Sequence, residues 1–173
     1  MTRLLGAIFA GGTARRFGSD KALAHLHGKP LIEHVIDALT PQVDALVICG
    51  RAYPPYPMLE DRPAHDLGPL GALCAALDYA AAHHFDAVLT SGCDLPFVPA
   101  DLAERLKGDG ARVALGQPLL GYWPVKLVRR LEMHLAAGSD RRMATWLTIA
   151  AARPVDFGAI ININTREDLA ALE

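Results

Sequence analysis

The segment Phe9-Ala10-Gly11-Gly12-Thr13-Ala14-Arg15-Arg16-Phe17-Gly18-Ser19-Asp20-Lys21 puts glycines and then basic side chains directly after an apolar run, Leu4 to Phe9. Glycines let backbone N–H groups turn toward an anion without Cβ obstruction. Arg15, Arg16 and Lys21 supply positive charge where phosphate oxygens would lie. The chemistry this predicts is phosphate binding at the end of a buried strand. Two familiar cradles are excluded by spacing: a Walker loop needs Gly-Lys-Ser/Thr where this chain has Gly18-Ser19-Asp20-Lys21, and the dinucleotide fingerprint Gly-x-Gly-x-x-Gly is absent. The plain alternative is a strand-to-helix connection with solvated arginines.

A second group follows the apolar run Asp86-Ala87-Val88-Leu89-Thr90-Ser91: Gly92-Cys93-Asp94-Leu95-Pro96-Phe97. A carboxylate at the carboxyl end of a strand, as expected for Asp94, can ligate Mg²⁺ beside a triphosphate. Asp near proline is also a common turn or cap residue. Asn162-Ile163-Asn164-Thr165 carries two amides that point to one side if extended, just before a helix start; this suits a second, hydrogen-bonding ligand, or simply a cap. Arg141 and Arg142, after Gly138-Ser139-Asp140, are an anion clamp or solvated charge. The seven histidines show no metal-ligand spacing, and Ser91 lacks the Gly-x-Ser-x-Gly context of a hydrolase nucleophile.

The elements that must position these residues alternate. Leu4–Phe9, Ala45–Cys49 and Asp86–Ser91 read as buried strands, and Leu31, Ile32, Val35, Ile36 and Leu39 mark one helix face behind the turn Gly28-Lys29-Pro30. Thr40-Pro41 closes that helix. The proline-rich stretch 53–57 is a loop or sheet edge, and Ala72–Ala82 reads as a packed helix. Asp101–Lys107 predicts a short helix, Ala111–Leu115 and Leu119–Trp123 strands, and Leu127, Val128, Leu131 and Leu135 a further helix; a capping-box-like start at Thr165 opens the last. The βαβαβα order predicts an α/β fold, a Rossmann-like three-layer sandwich with a mostly parallel central sheet, in which strand-end loops converge on one crevice. Lys21 and Asp94 should therefore meet.

Composition bounds the rest. At 173 residues and 51% hydrophobic, residues 1–173 are sized for a single domain. A formal charge of −2 and 6% aromatic content do not suit a nucleic-acid binder. Cys49, Cys74 and Cys93 suggest neither a disulfide framework nor a zinc knuckle, so reduced thiols in a cytoplasmic protein are expected. No stretch approaches the roughly 20 apolar residues of a membrane span.

Taken in order, Gly11-Gly12-x3-Arg16-x-Gly18-x-Asp20-Lys21, Gly28-Lys29-Pro30-Leu31, Gly68-Pro69-Leu70, Cys93-Asp94-Leu95-Pro96-Phe97, Gln117-Pro118-Leu119 and Asn162-Ile163-Asn164-Thr165-x2-Asp168-Leu169 resemble the successive motifs of the MobA family of molybdenum cofactor guanylyltransferases. The opening motif is shared with many sugar and lipid nucleotidyltransferases; the closing one is particular to the molybdopterin branch. The resemblance implies transfer of GMP from GTP to molybdopterin carrying molybdenum, with Mg²⁺ bound and pyrophosphate released. It also implies contact with other molybdenum-cofactor biosynthesis proteins and recipient molybdoenzymes.

By the same resemblance, Phe9, Ala10, Gly11 and Gly12 would hold the nucleotide through backbone groups. Asp61 would accept hydrogen bonds from it, Arg16 and Lys21 would serve the triphosphate, and Asp94 would hold the metal. Arg141, Arg142, Asn162 and Asn164 are the molybdopterin candidates. Phe9 stands where the family has leucine. Cys49 stands where some relatives carry an amide that touches the nucleotide, and Gly71 comes one place earlier than the usual second glycine. Two other readings share these residues: a cytidylyltransferase acting on molybdopterin or another small phosphorylated acceptor, and a catalytically idle nucleotide-binding scaffold.

Overall fold

The apolar run Leu4–Phe9 forms strand β1, buried along nearly its whole length, as a strand covered on both faces must be. The computed structural model describes the chain except residues 13–16, 19 and 139, so Arg15 and Arg16, the expected loop arginines, lie outside the described residues. After β1 come the hairpin strands β2 (His25–Leu26) and β3 (Lys29–Pro30), helix α1 (Leu31–Leu39), β4 (Ala45–Cys49), β5 (Met58–Leu59) and α2 (Gly68–Ala82). They are followed by β6 (Ala87–Gly92), α3 (Leu102–Leu106), β7 (Arg112–Ala114), β8 (Gln117–Pro124), α4 (Val128–Ala136), α5 (Met143–Ile149), β9 (Arg153–Val155) and α6 (Arg166–Ala170).

Seven strands form the main sheet in the order β5-β4-β1-β6-β8-β7-β9. Neighbours β5, β4, β1 and β6 are parallel, β8 runs antiparallel to both β6 and β7, and β9 is parallel to β7. The sheet is thus mostly parallel, with β8 the reversed strand.

Alternation along β1 sends its side chains to two different cores. Leu5 and Ala7 pack with α2 and with Trp123, Leu131 and Trp146. Leu4 and Ile8 pack on the other face with Ile32, Val35 and Leu39 of α1 and Leu102 and Leu106 of α3. Helices therefore cover both faces, giving the three layers expected. Trp146, fully buried, anchors α5 to the first core, and truncating such a side chain typically costs about 3–5 kcal/mol.

Several boundaries differ from the sequence expectations for local reasons. His27 and Gly28 both take positive φ (50° and 75°), so the turn is the tip of the β2–β3 hairpin and Lys29–Pro30 pairs back as a strand. Helix α2 starts at Gly68, not Ala72, because Pro69 in the first turn needs no N–H partner there. The capping box at α6 is present: Thr165 Oγ1 accepts from the Asp168 amide at 3.1 Å, and Asp168 Oδ2 accepts from the Thr165 amide at 2.9 Å.

Candidate functional site

The register of the three central strands builds the site. Phe9 of β1 lies opposite Cys49 of β4 on one side and Gly92 of β6 on the other, so all three strands end on one line. The loops that leave there carry Ala10-Gly11-Gly12, Gly50-Arg51 and Cys93-Asp94 and line one cleft of about 1370 Å³. Convergence of strand ends at the carboxyl edge of a parallel sheet is where this architecture places ligands.

Lys21 and Asp94 meet in this cleft, with Nζ 3.2 Å from Oδ2 and both side chains mostly buried. The same ammonium donates to Asn164 Oδ1 at 3.2 Å, so one lysine joins the glycine loop, the β6 exit and the C-terminal amide segment. That segment is held beside Asp94 by a backbone bond, Ile163 N to Asp94 O at 2.9 Å, and by the Ile163 side chain, fully buried against Phe17, Leu26 and Leu31. Burying Ile163 leaves its flanking amides on the other side of the extended chain. Asn162 Oδ1 is itself buried and has no partner among the described residues.

Two close backbone approaches shape the walls. Gly50 has φ +84°, and a Cβ there would stand 2.5 Å from the Gly11 Cα, so the β4 exit and the first glycine of the loop can touch only without side chains. Gly71 does the same for α2, where a Cβ would lie 2.9 Å from the Asp61 Cβ. Its place in Gly68-Pro69-Leu70-Gly71 thus has a physical reason: it lets Asp61 press onto the helix.

Asp61 lines the cleft and accepts from the Leu67 amide at 3.0 Å; burial pushes its carboxyl above the ordinary range. Cys49 also lines it, but its thiol faces the Ala72 carbonyl at 3.8 Å. Burial pushes Cys49, Cys74 and Cys93 to about 12, so none carries thiolate character at neutral pH.

The two other arginines in view lie apart from this junction. Arg142 is bound to Asp140, Nη2 to Oδ2 at 2.8 Å, with its side chain 80% exposed. Arg141 Nη1 donates to the Asp66 carbonyl at 3.0 Å, on the loop that contributes Asp66 to the cleft rim. Sequence reasoning overlooked Arg51 as a site residue, although it leaves β4 at the same edge. Its guanidinium grips both carboxylate oxygens of Asp20, Nη1 to Oδ1 at 2.7 Å and Nη2 to Oδ2, and holds that carboxyl below its ordinary range. Its place two residues past the end of a buried strand was the available signal.

The family described as MobA-like NTP transferase domain matches residues 6–156, most of the chain. The chain belongs to this family. The chain is 41% identical over 187 aligned residues to the molybdenum cofactor guanylyltransferase of Cereibacter sphaeroides, covering 99% of this chain and 96% of that protein. It is 39% identical to the molybdenum cofactor guanylyltransferase of Rhodobacter capsulatus, with 99% and 95% covered. Its fold matches the crystal structure of molybdopterin-guanine dinucleotide biosynthesis protein A from Archaeoglobus fulgidus, with a TM-score of 0.74, 24% identity, and 98% and 96% of the two chains covered.

A divalent metal is typical of nucleotidyltransferases. Asp94 offers oxygen donors in a part-buried position, and among the described residues no group of three or more His, Cys, Asp or Glu stands together. One carboxylate suits a hard cation that completes its shell with substrate phosphates and water. The donor set therefore fits a metal shared with a triphosphate. No helix among the described residues is long and apolar enough to cross a membrane.

Proposed function

We propose that this protein transfers GMP from GTP to molybdenum-bearing molybdopterin with Mg²⁺, forming the guanine dinucleotide and releasing pyrophosphate. The observation that carries the reading is the contact of Lys21 Nζ with Asp94 Oδ2 at 3.2 Å, at the end of a glycine loop and beside Ile163 and Asn164, which hydrogen-bond to Asp94 and Lys21. The relatives' names supply the reaction; the geometry supplies what that reaction needs.

A phosphate oxygen of the pterin attacks the α-phosphorus of GTP, the new O–P bond forms, and the bond to the bridging oxygen breaks to release pyrophosphate. Such transfer asks a protein chiefly for alignment and charge neutralisation. Lys21 and the amides of Gly11 and Gly12 serve the phosphates, while Asp61 accepts from the donors on the guanine edge. Mg²⁺ on Asp94, when bound, withdraws charge from the phosphate oxygens. Asn164, already on Lys21, and Asn162, with a spare buried oxygen, form the pterin side. The whole chain acts as one nucleotidyltransferase domain in the cytoplasm, in keeping with three buried free thiols.

Thermal-shift titration with Mg²⁺ and GTP, CTP, ATP or UTP tests the base. Stabilisation follows RT ln(1 + [L]/Kd), so GTP should raise the midpoint most. A larger rise with CTP would establish the cytidylyltransferase reading instead.

A further inference from the structure

The Asp20–Arg51 pair lies beside the proposed chemistry yet has no part in it so far. Asp20 immediately precedes Lys21 and accepts the Leu23 amide through its carbonyl at 3.2 Å, opening the short 3₁₀ turn Lys21–Leu23 that carries the ammonium. Arg51 immediately follows Gly50, whose backbone rests on Gly11. The start of the loop is further tied to β4 by the Ala10 amide, which donates to the Cys49 carbonyl at 2.9 Å. The exit of β4 therefore holds the glycine loop at both ends: by backbone contact at Ala10 and Gly11, and by a two-pronged ion pair at Asp20.

We propose that Arg51 is a positioning residue that acts through Asp20, pinning the far end of the glycine loop and so setting where Lys21 stands relative to Asp94. The inference rests on the guanylyl-transfer reading for what Lys21 does, but not for what holds it. Arg51 is about one-fifth exposed and Asp20 nearly half, and an ion pair this open adds little to global stability. Its contribution is geometric: a planar guanidinium that meets both carboxylate oxygens fixes direction as well as distance, which a lysine ammonium cannot do. Displacing catalytic groups by as little as 1 Å can cost about a hundredfold in rate.

The test compares Arg51→Ala, Arg51→Lys, Asp20→Asn, the double variant and the exchanged pair Asp20→Arg/Arg51→Asp in the full chain. Two readouts are used: kcat and KM for molybdopterin-dependent pyrophosphate release from GTP, and amide hydrogen exchange of the peptide spanning residues 10–23 in nucleotide-free protein. Arg51→Ala and Asp20→Asn should each lower kcat by roughly ten- to a hundredfold with unchanged thermal midpoints. The double variant should be no worse than either single change, and the exchanged pair should recover most of the loss. Exchange of the loop peptide should rise about tenfold in Arg51→Ala and in Asp20→Asn, with Arg51→Lys, which keeps the charge but not the fork, rising as well.

Near-wild-type kcat in Asp20→Asn with a crippled Arg51→Ala would overturn the proposal, because Arg51 would then act on the substrate itself. Additive losses, or loop exchange unchanged in both variants, would overturn it too. If wild-type protein released no pyrophosphate from GTP, the functional reading would fail, and the exchange data would still decide the proposal on their own.

Discussion

Two stretches that both looked suited to binding anions fare differently in the fold. At the ends of β4, β1 and β6, strand register places the groups: Cys49, Phe9 and Gly92 are aligned, and Lys21 and Asp94, far apart in sequence, come within hydrogen-bond distance. Around 138–146, local turn chemistry places them. Asp140 collects the Arg142 amide at 2.8 Å, its guanidinium, and the Thr145 hydroxyl at 2.5 Å, so the Arg142 charge is engaged two residues from where it arises. Lys21, on a strand-end loop, is aimed by the sheet, whereas Arg142 is taken up by the carboxylate two residues before it.

That contrast can be broken at several points. The largest effect should come from Asp94→Ala, which should lower molybdopterin-dependent pyrophosphate release at least about a thousandfold while leaving the thermal midpoint near wild type. Retained activity would remove Asp94 from the mechanism. Lys21→Ala should cost about 2.7–4 kcal/mol in kcat/KM, read from steady-state rates with GTP varied. Unchanged kcat/KM would mean that the ammonium is a structural counter-ion.

Asn164→Ala removes the second acceptor of Lys21, and a bond to a charged group of this kind is worth about 1.5–3 kcal/mol, so a loss of roughly ten- to a hundredfold is expected. Arg142→Ala should change activity less than threefold, since its charge is already bound to Asp140 in the open. A marked rise in KM for molybdopterin in that variant would show that the turn reopens for substrate and would erase the contrast.

Acid sensitivity sharpens the same comparison. The Asn164 and Thr165 amides lower the Asp168 carboxyl. A carboxyl lowered by folding contributes stability that is complete above its unfolded value of about 4 and is lost as pH falls through the lower folded value. Thermal midpoints should therefore hold between pH 7 and 5 and decline below about pH 4, with a shallower decline in Asp168→Asn. An identical decline in that variant would mean that the α6 cap contributes nothing.

Much of this was legible in the sequence, and the remainder was hidden for identifiable reasons. Strands β1, β4 and β6 were readable because an unbroken apolar run covered on both faces has few alternatives, and α1 because its apolar residues keep helical spacing. Strands β5 and β9, two and three residues long, carry no period to detect, and the apolar face of α5, Met143, Trp146 and Leu147, spans a helix of only seven residues. In the site, the meeting of Lys21 and Asp94 followed from the strand-end rule. Asn164 was readable from its alternation with Ile163, whereas its bond to Lys21 was not. Arg51 was hidden by the prolines that follow it, which drew the stretch into a generic loop, and Asp140 lies so close to Arg142 that charge alone could not reveal their pairing.

In this protein the junction of the glycine loop, Asp94 and the C-terminal amides is where a guanylyl group passes to molybdopterin. Its most direct test is pyrophosphate release by the wild-type chain with Mg²⁺, comparing GTP with CTP and adding or withholding molybdopterin. Release should require molybdopterin and be fastest with GTP. Release that favours CTP, or no release by folded protein with every substrate present, would contradict it.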